Sequence, residues 1–199
     1  MIHLHWVPPK PEESRQDYGR RLRQEAHHLR DEVLKEMGFL TDPDSFEKGP
    51  YGQPYLKGVP IQFNLTHCQG LAAFAVGKRE CGIDAECWKR KPGAAIRRAC
   101  SPEETVYLEQ SADPSFAFFR LWTLKEAFVK AVGQGLAFPL AEASFLPGKG
   151  DSLYFCREGY LFRQFAAGEH IISLCVVENG LSPQPIQLEM EKDLEYFHF

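Results

Sequence analysis

The chain has 199 residues, 44% hydrophobic and 25% charged, enough for one sizeable domain or two small halves sharing an interface. Its 15 Phe, 7 Tyr and 3 Trp exclude wholesale disorder, and a formal net charge of −4 excludes a general nucleic-acid footprint, though a cleft can be basic on an acidic protein. The six cysteines form no C-x-x-C pair, no apolar run approaches the ~20 residues that span a bilayer, and Pro8, Pro9 and Pro11 interrupt any leader, so a reduced cytoplasmic protein is expected.

Residues 2–7 alternate and predict a strand. Residues 12–37 predict a long helix, with Tyr18, Leu22, Ala26, Leu29, Val33 and Met37 on one stripe and Gly38 as its stop. Arg23, His27 and Arg30 share a neighbouring face, with Arg20 close by. That face is either a solvated basic surface or an anion site. Residues 41–60, rich in Pro, Gly, Asp and Lys, read as loop, and 61–64 as a short strand. Phe63 to His67 then joins one strand to the next, and His67 is either a satisfied structural histidine or a phosphate donor. Residues 71–76 predict a buried strand, 77–80 a turn, and 81–86 its hairpin partner.

Residues 88–100 read as a basic loop with a short helix. Ser101, Pro102 and Glu104 then form a helix start, with Ser101 as N-cap and Glu104 three residues on. A second long helix runs from about Ser115 to Val132 and closes at Gly133 and Gly135. Strands are expected at 143–146, 152–156, 160–165 and 170–178, followed by a tail rich in acidic and aromatic residues. Each half repeats the order of a long helix followed by strands, which predicts an α+β architecture divided near residue 100, as 1–100 and 101–199.

Asp84 and Glu86 lie two residues apart on a strand and so face the same side. Two close carboxylates suit a hard cation with oxygen ligands, or else mark an exposed polar strand end. In the second helix Ala117, Leu121, Leu124, Phe128 and Ala131 form the core stripe. Phe119, Thr123, Glu126 and Lys130 fall on the opposite face. Glu126 and Lys130 are therefore neighbours, as a surface ion pair or as part of a site. Phe119 and the flanking Trp122 favour burial on several sides.

Taken together, these segments resemble the 4′-phosphopantetheinyl transferases. Gly82-Ile83-Asp84-Ala85-Glu86 resembles the family's G-[IV]-D-x-E motif, and Trp122 to Lys130 its W-x-x-K-E-[AS]-x-x-K motif. Phe63 to His67 resembles F-N-x-S-H, with Thr66 in the Ser position, and Tyr51 to Tyr55 resembles the Y-G-K-P loop. Gly133 to Leu136, with Pro139 and Leu140, resembles the segment that closes the second motif. The likeness covers about residues 15–145, and the single-chain length suggests the surfactin-type (Sfp-like) branch, two fused pseudo-symmetric halves each with a long helix on an antiparallel sheet.

The resemblance implies transfer of the 4′-phosphopantetheine arm of coenzyme A to a serine of an apo acyl or peptidyl carrier protein, with release of adenosine 3′,5′-bisphosphate. It implies Mg²⁺, or Mn²⁺, held by Asp84, Glu86 and Glu126, with Glu126 as general base and Glu86 as second candidate. Lys130, Thr66 and His67 would meet phosphate oxygens, and Arg23 and His27 the 3′-phosphate end of coenzyme A. A monomer acting on no nucleic acid and no membrane is expected. Gln53 replaces the family lysine; it can hydrogen-bond a phosphate but brings no charge, so weaker or differently arranged coenzyme A binding is expected, with Lys48 and Lys57 flanking it. The alternative is a catalytically weak binding module for coenzyme A or a carrier protein. A metal-dependent nucleotide hydrolase is a second rival. Lys89, Arg90, Lys91, Arg97 and Arg98 could meet an acidic carrier or form a solvated basic loop.

Overall fold

A computed structural model describes residues 1–135, 138–148, 153–155, 159–178, 186–188 and 190–191. Leu136, Cys156 and the tail beyond 191 lie outside the described residues. The element order begins β1 (Ile2–Val7), α1 (Arg15–Glu36), β2 (Phe46–Lys48), β3 (Pro54–Leu56), β4 (Gln62–Cys68), β5 (Gly70–Gly77) and β6 (Cys81–Cys87). It continues α2 (Ile96–Ala99), α3 (Pro102–Gln110), α4 (Pro114–Val132), β7 (Phe145–Pro147), β8 (Leu153–Phe155), β9 (Tyr160–Ala167), β10 (His170–Val177), β11 (Ile186–Leu188) and β12 (Met190–Glu191). The class is α+β, as expected. No described helix is long and apolar enough to cross a membrane.

Two sheets lie face to face, each with a long helix on its outer side. The first has the order β1-β5-β4 and the second β12-β9-β10-β6. Ser14 caps α1 by accepting from the Asp17 amide. The stripe of α1 buries Leu22, Ala26, Val33 and Leu34 against Phe63, Ala72, Phe74 and Val76 of the first sheet. The other face of β5 turns Leu71, Ala73 and Ala75 toward Ile83, Ala85, Ile172 and Leu174 of the second sheet. A strand buried on both faces reads as an unbroken apolar run, which is why 71–76 lacks polar residues.

β6 pairs with β10, with Asp84 opposite Ser173 and Glu86 opposite Ile171. The expected hairpin between 71–76 and 81–86 is therefore not formed. A strand has two hydrogen-bonding edges, and those of β5 are taken by β1 and β4. The turn at 78–80 instead carries the chain from one sheet to the other. Phe63 to His67 also departs from the expected connection, because all five residues lie inside β4. Within the expected loop 41–60, β2 and β3 form a short hairpin, anchored where Phe46 and Leu56 join the core under α1.

α4 begins at Asp113, whose carboxylate accepts the Phe116 amide at 2.9 Å, with Pro114 in the first turn. It ends at Gly133, whose positive φ of 75° suits glycine. Phe119 and Thr123 are as buried as the apolar stripe, so α4 is enclosed on most sides. Ser101 and Glu104 form a reciprocal capping box at the start of α3.

Candidate active site at the seam between the sheets

Gly82, Asp84 and Glu86 occupy the face of β6 that meets α4. A side chain at Gly82 would stand 2.8 Å from the Lys130 Cβ, so the glycine lets the helix backbone settle directly on the strand. That approach places Lys130 over Asp84. Lys130 Nζ donates to Asp84 Oδ1 at 2.6 Å, to the Ile83 carbonyl at 3.0 Å and to Thr66 Oγ1 at 3.2 Å. Thr66 Oγ1 donates to Asp84 Oδ1 at 3.1 Å. Asn64, two residues earlier on β4, accepts the Ile83 amide at 3.0 Å. Side chains from β4 and α4 thus satisfy the exposed backbone of the edge strand β6 on both sides of Ile83.

Asp84 is only 6% exposed, and its Oδ2 is buried without a hydrogen-bond partner. An orphaned carboxylate oxygen is costly. Two more acids feel its charge. Burial, followed by repulsion from Asp84, pushes Glu86 up to about 7, against the pull of Arg90 and Lys130. Burial and then Asp84 also raise Glu126, with Lys130 opposing. Glu86 turns to Arg90, whose Nη2 donates to its Oε1 at 2.6 Å. Among the described residues no three His, Cys, Asp or Glu side chains are gathered closely enough to hold a metal ion. The three carboxylates are coupled by charge, and two of them are turned to cations of the chain. The unpartnered oxygen and the all-oxygen donor set fit a hard divalent cation.

The opposite face of β4 carries His67 toward α1. Burial lowers His67, then Arg23, Lys130 and His27 lower it further, against a backbone hydrogen bond. His27 is lowered by burial, Arg30 and Arg23 against Asp31. Arg23, His27, His67 and Lys130 therefore share one positive field. Arg20 is paired with Asp17, Arg21 with Glu13, and Arg30 with Asp31 while lying 4.2 Å over the Phe46 ring. Arg23 has no carboxylate partner among the described residues.

Gln53 lies at the other end of Lys130. With Tyr55, Phe63, Asn64, Lys130 and Gly133 it lines a cavity of about 280 Å³. Its Oε1 is buried without a partner. Lys57 is bound to Glu47 at 3.0 Å, so it supplies no free charge beside Gln53. In the basic loop, Lys89 sits 3.8 Å over Trp88 and Arg90 is held by Glu86, whereas Lys91 and Arg98 are exposed.

The profile described as the 4′-phosphopantetheinyl transferase superfamily matches residues 80–175, from the turn before β6 through α4 to β10. A 4′-phosphopantetheinyl transferase of Bacillus subtilis is 34% identical over 117 residues, 56% of this chain and 51% of that protein. The 4′-phosphopantetheinyl transferase Sfp of Bacillus subtilis strain 168 is 30% identical over 98 residues, 48% of this chain and 44% of Sfp. The segment 80–175 is thus similar to the 4′-phosphopantetheinyl transferase superfamily. The similarity to Sfp is in keeping with the Sfp-like branch. The chain spans about half the length of the curated relatives it matches. Among solved structures, a holo-[acyl-carrier-protein] synthase of Thermotoga maritima aligns over 50% of this chain and 62% of its own, at 22% identity and a TM-score of 0.43.

Within the superfamily segment lies a second polar cluster that motif reading passed over. Lys125, one residue before Glu126, is fully buried with Glu104, at 2.6 Å. On another face of the same helix Arg120 Nε donates to Gln164 Oε1 at 2.8 Å, and Thr123 shares a 2.8 Å hydrogen bond with Ser173. The available signal was a lysine and an arginine on a helix that is apolar on several sides, since such charges need buried partners.

Proposed function

We propose that the chain transfers the 4′-phosphopantetheine arm of coenzyme A to a serine of an apo acyl or peptidyl carrier protein. The single observation that carries the reading is the buried Asp84, gripped by Lys130 from α4, with one oxygen unpartnered and two further carboxylates, Glu86 and Glu126, within reach of its charge. Asp84, Glu86 and Glu126 would hold Mg²⁺, or Mn²⁺. Bound there, the ion would neutralise charge on the pyrophosphate oxygens. Thr66, His67 and Lys130 would hold phosphate oxygens, and Arg23 and His27 the 3′-phosphate end. Gln53 would line the same ligand cavity with a neutral amide. On this reading the halves 1–100 and 101–199 contribute jointly to the site, and the protein works as a cytoplasmic monomer.

The carrier serine attacks the β-phosphorus, and its proton passes to Glu126. The bond from that phosphorus to the bridging oxygen breaks, and adenosine 3′,5′-bisphosphate leaves with the electron pair. Burial of Glu126 strengthens its affinity for the proton, which suits a base. Lys130 keeps a fixed positive charge beside the reacting groups.

The test is to incubate the full chain with coenzyme A, Mg²⁺ and a panel of apo carriers, and to weigh the carriers. A gain of one phosphopantetheine arm supports the reading. Glu126→Gln should keep its circular dichroism spectrum and lose roughly 100-fold or more in rate. Near-normal turnover by that variant removes Glu126 as base. Coenzyme A binding with no carrier modified would favour the binding module, and coenzyme A cleavage without a carrier would favour the hydrolase.

A further inference from the structure

An ammonium group has three protons to donate. All three of Lys130 are directed inside the protein, at Asp84 Oδ1, the Ile83 carbonyl and Thr66 Oγ1. The side chain is only 26% exposed, and Asp84 beneath it only 9%. Lys130 thus lies in the seam with its charge on the carboxylate that anchors the acidic cluster. Glu86 is held in the same manner by Arg90. The negative charge of the site is balanced by the chain's own cations, while Asp84 Oδ2 stays unpartnered beside them.

We propose that Lys130 is the resident counter-cation of this cluster and competes with the divalent ion for Asp84. The inference rests on the reading that Asp84 belongs to a metal site. Two cations drawn to one carboxylate repel each other strongly in a partly buried seam. Lys130 therefore keeps the affinity for a bare divalent ion low. A ligand that brings its own negative charge, as a pyrophosphate diester does, offers the ammonium a second anion and relieves the competition. The ion and the phosphate ligand then load together. This role is separate from any contact between Lys130 and the reacting phosphorus, because it operates with no phosphate present.

The test uses Mn²⁺ alone, with the full-length protein and the free ion counted by electron paramagnetic resonance. Native protein, Lys130→Gln, Lys130→Met, Lys130→Arg and Asp84→Asn are compared, each checked for native circular dichroism. The neutral Gln and Met variants are expected to bind Mn²⁺ at least ~10-fold more tightly than native protein, and Lys130→Arg to stay close to it. Asp84→Asn should abolish the binding. Two neutral side chains of different polarity guard against one of them failing to fold. If both neutral variants bind as native protein does, or more weakly, while Asp84→Asn loses the ion, the competition is overturned and the metal site stands. If no binding is sensitive to Asp84→Asn, both readings fall.

Discussion

Gly82 and Ala131 meet backbone to backbone: a methyl group on Gly82 would lie 2.5 Å from the Ala131 amide nitrogen and would collide with the Ala127 carbonyl. Backbone on both sides leaves nothing flexible to give way. Gly82→Ala should therefore push α4 off β6 and cost ~1–3 kcal/mol or more, the usual range for overpacking. The larger effect falls on the site, since the 2.6 Å bond from Lys130 to Asp84 spans that same contact. Urea unfolding measures the loss, and a backbone amide spectrum shows whether residues 82–86 and 126–131 shift together. Native stability in this variant would mean that the helix does not rest on the strand as described.

Lys125 and Glu104 are both fully buried, and each is satisfied by more than the other. Lys125 Nζ also donates to the Ala99 carbonyl at 2.6 Å and the Leu140 carbonyl at 3.0 Å. Glu104 also accepts the Ser101 amide at 2.7 Å and the Phe145 amide at 2.8 Å. The pair ties α2, α3, the 140–145 segment and α4 together one residue from Glu126. Lys125→Met leaves a buried carboxylate without its cation, at a cost of ~3–5 kcal/mol. Adding Glu104→Gln should return part of that stability, because the amide carbonyl still accepts a backbone hydrogen bond. A double-mutant cycle by urea unfolding checks it, and additive losses would mean the two residues do not act as a pair.

Periodicity alone carried the long elements. The stripe from Leu22 to Val33 and the Ser101 cap follow from spacing and residue type, and α1 and α4 lie within a few residues of their expected bounds, whereas the Ser14 and Asp113 caps emerge only in the structure. Alternation alone also puts Asp84 and Glu86 on one face of β6. Strand partners were less legible. Nothing local in Cys81–Cys87 says that its hydrogen bonds go to β10 rather than β5, because the choice depends on β1 and β4 having filled β5 first. The side-chain bonds of the seam are non-local in the same way. Thr66, Asp84 and Lys130 converge from β4, β6 and α4, and Lys125 finds Glu104 21 residues away. Spacing assigns each residue a face, but only the packed sheets decide which faces meet.

Glu86 gives the site a measurable dependence on pH. Its folded-state value of about 7 lies above the ordinary 4.5 of an unfolded glutamate, chiefly because of burial and then because of Asp84. Between those two values the folded chain keeps a proton that the unfolded chain has released. The contribution of Glu86 to stability is therefore fully present below the unfolded value and is lost as pH rises through about 7. Glu126, raised for the same reasons, acts in the same direction. His27 and His67, both lowered, act in the opposite direction, since they favour the fold as pH rises past their unfolded value of 6.5. Comparison with Glu86→Gln isolates the glutamate, because the histidines are common to both proteins. In EDTA, native protein should lose stability relative to Glu86→Gln between about pH 5 and about pH 8, as read by urea unfolding at each pH. Mg²⁺ added at the alkaline end should restore the native protein more than the variant, because the ionised carboxylate is the better ligand for a hard cation. A difference that stays flat across this range would show that Glu86 is not held protonated by its surroundings, and a Mg²⁺ effect equal in both proteins would separate Glu86 from the ion.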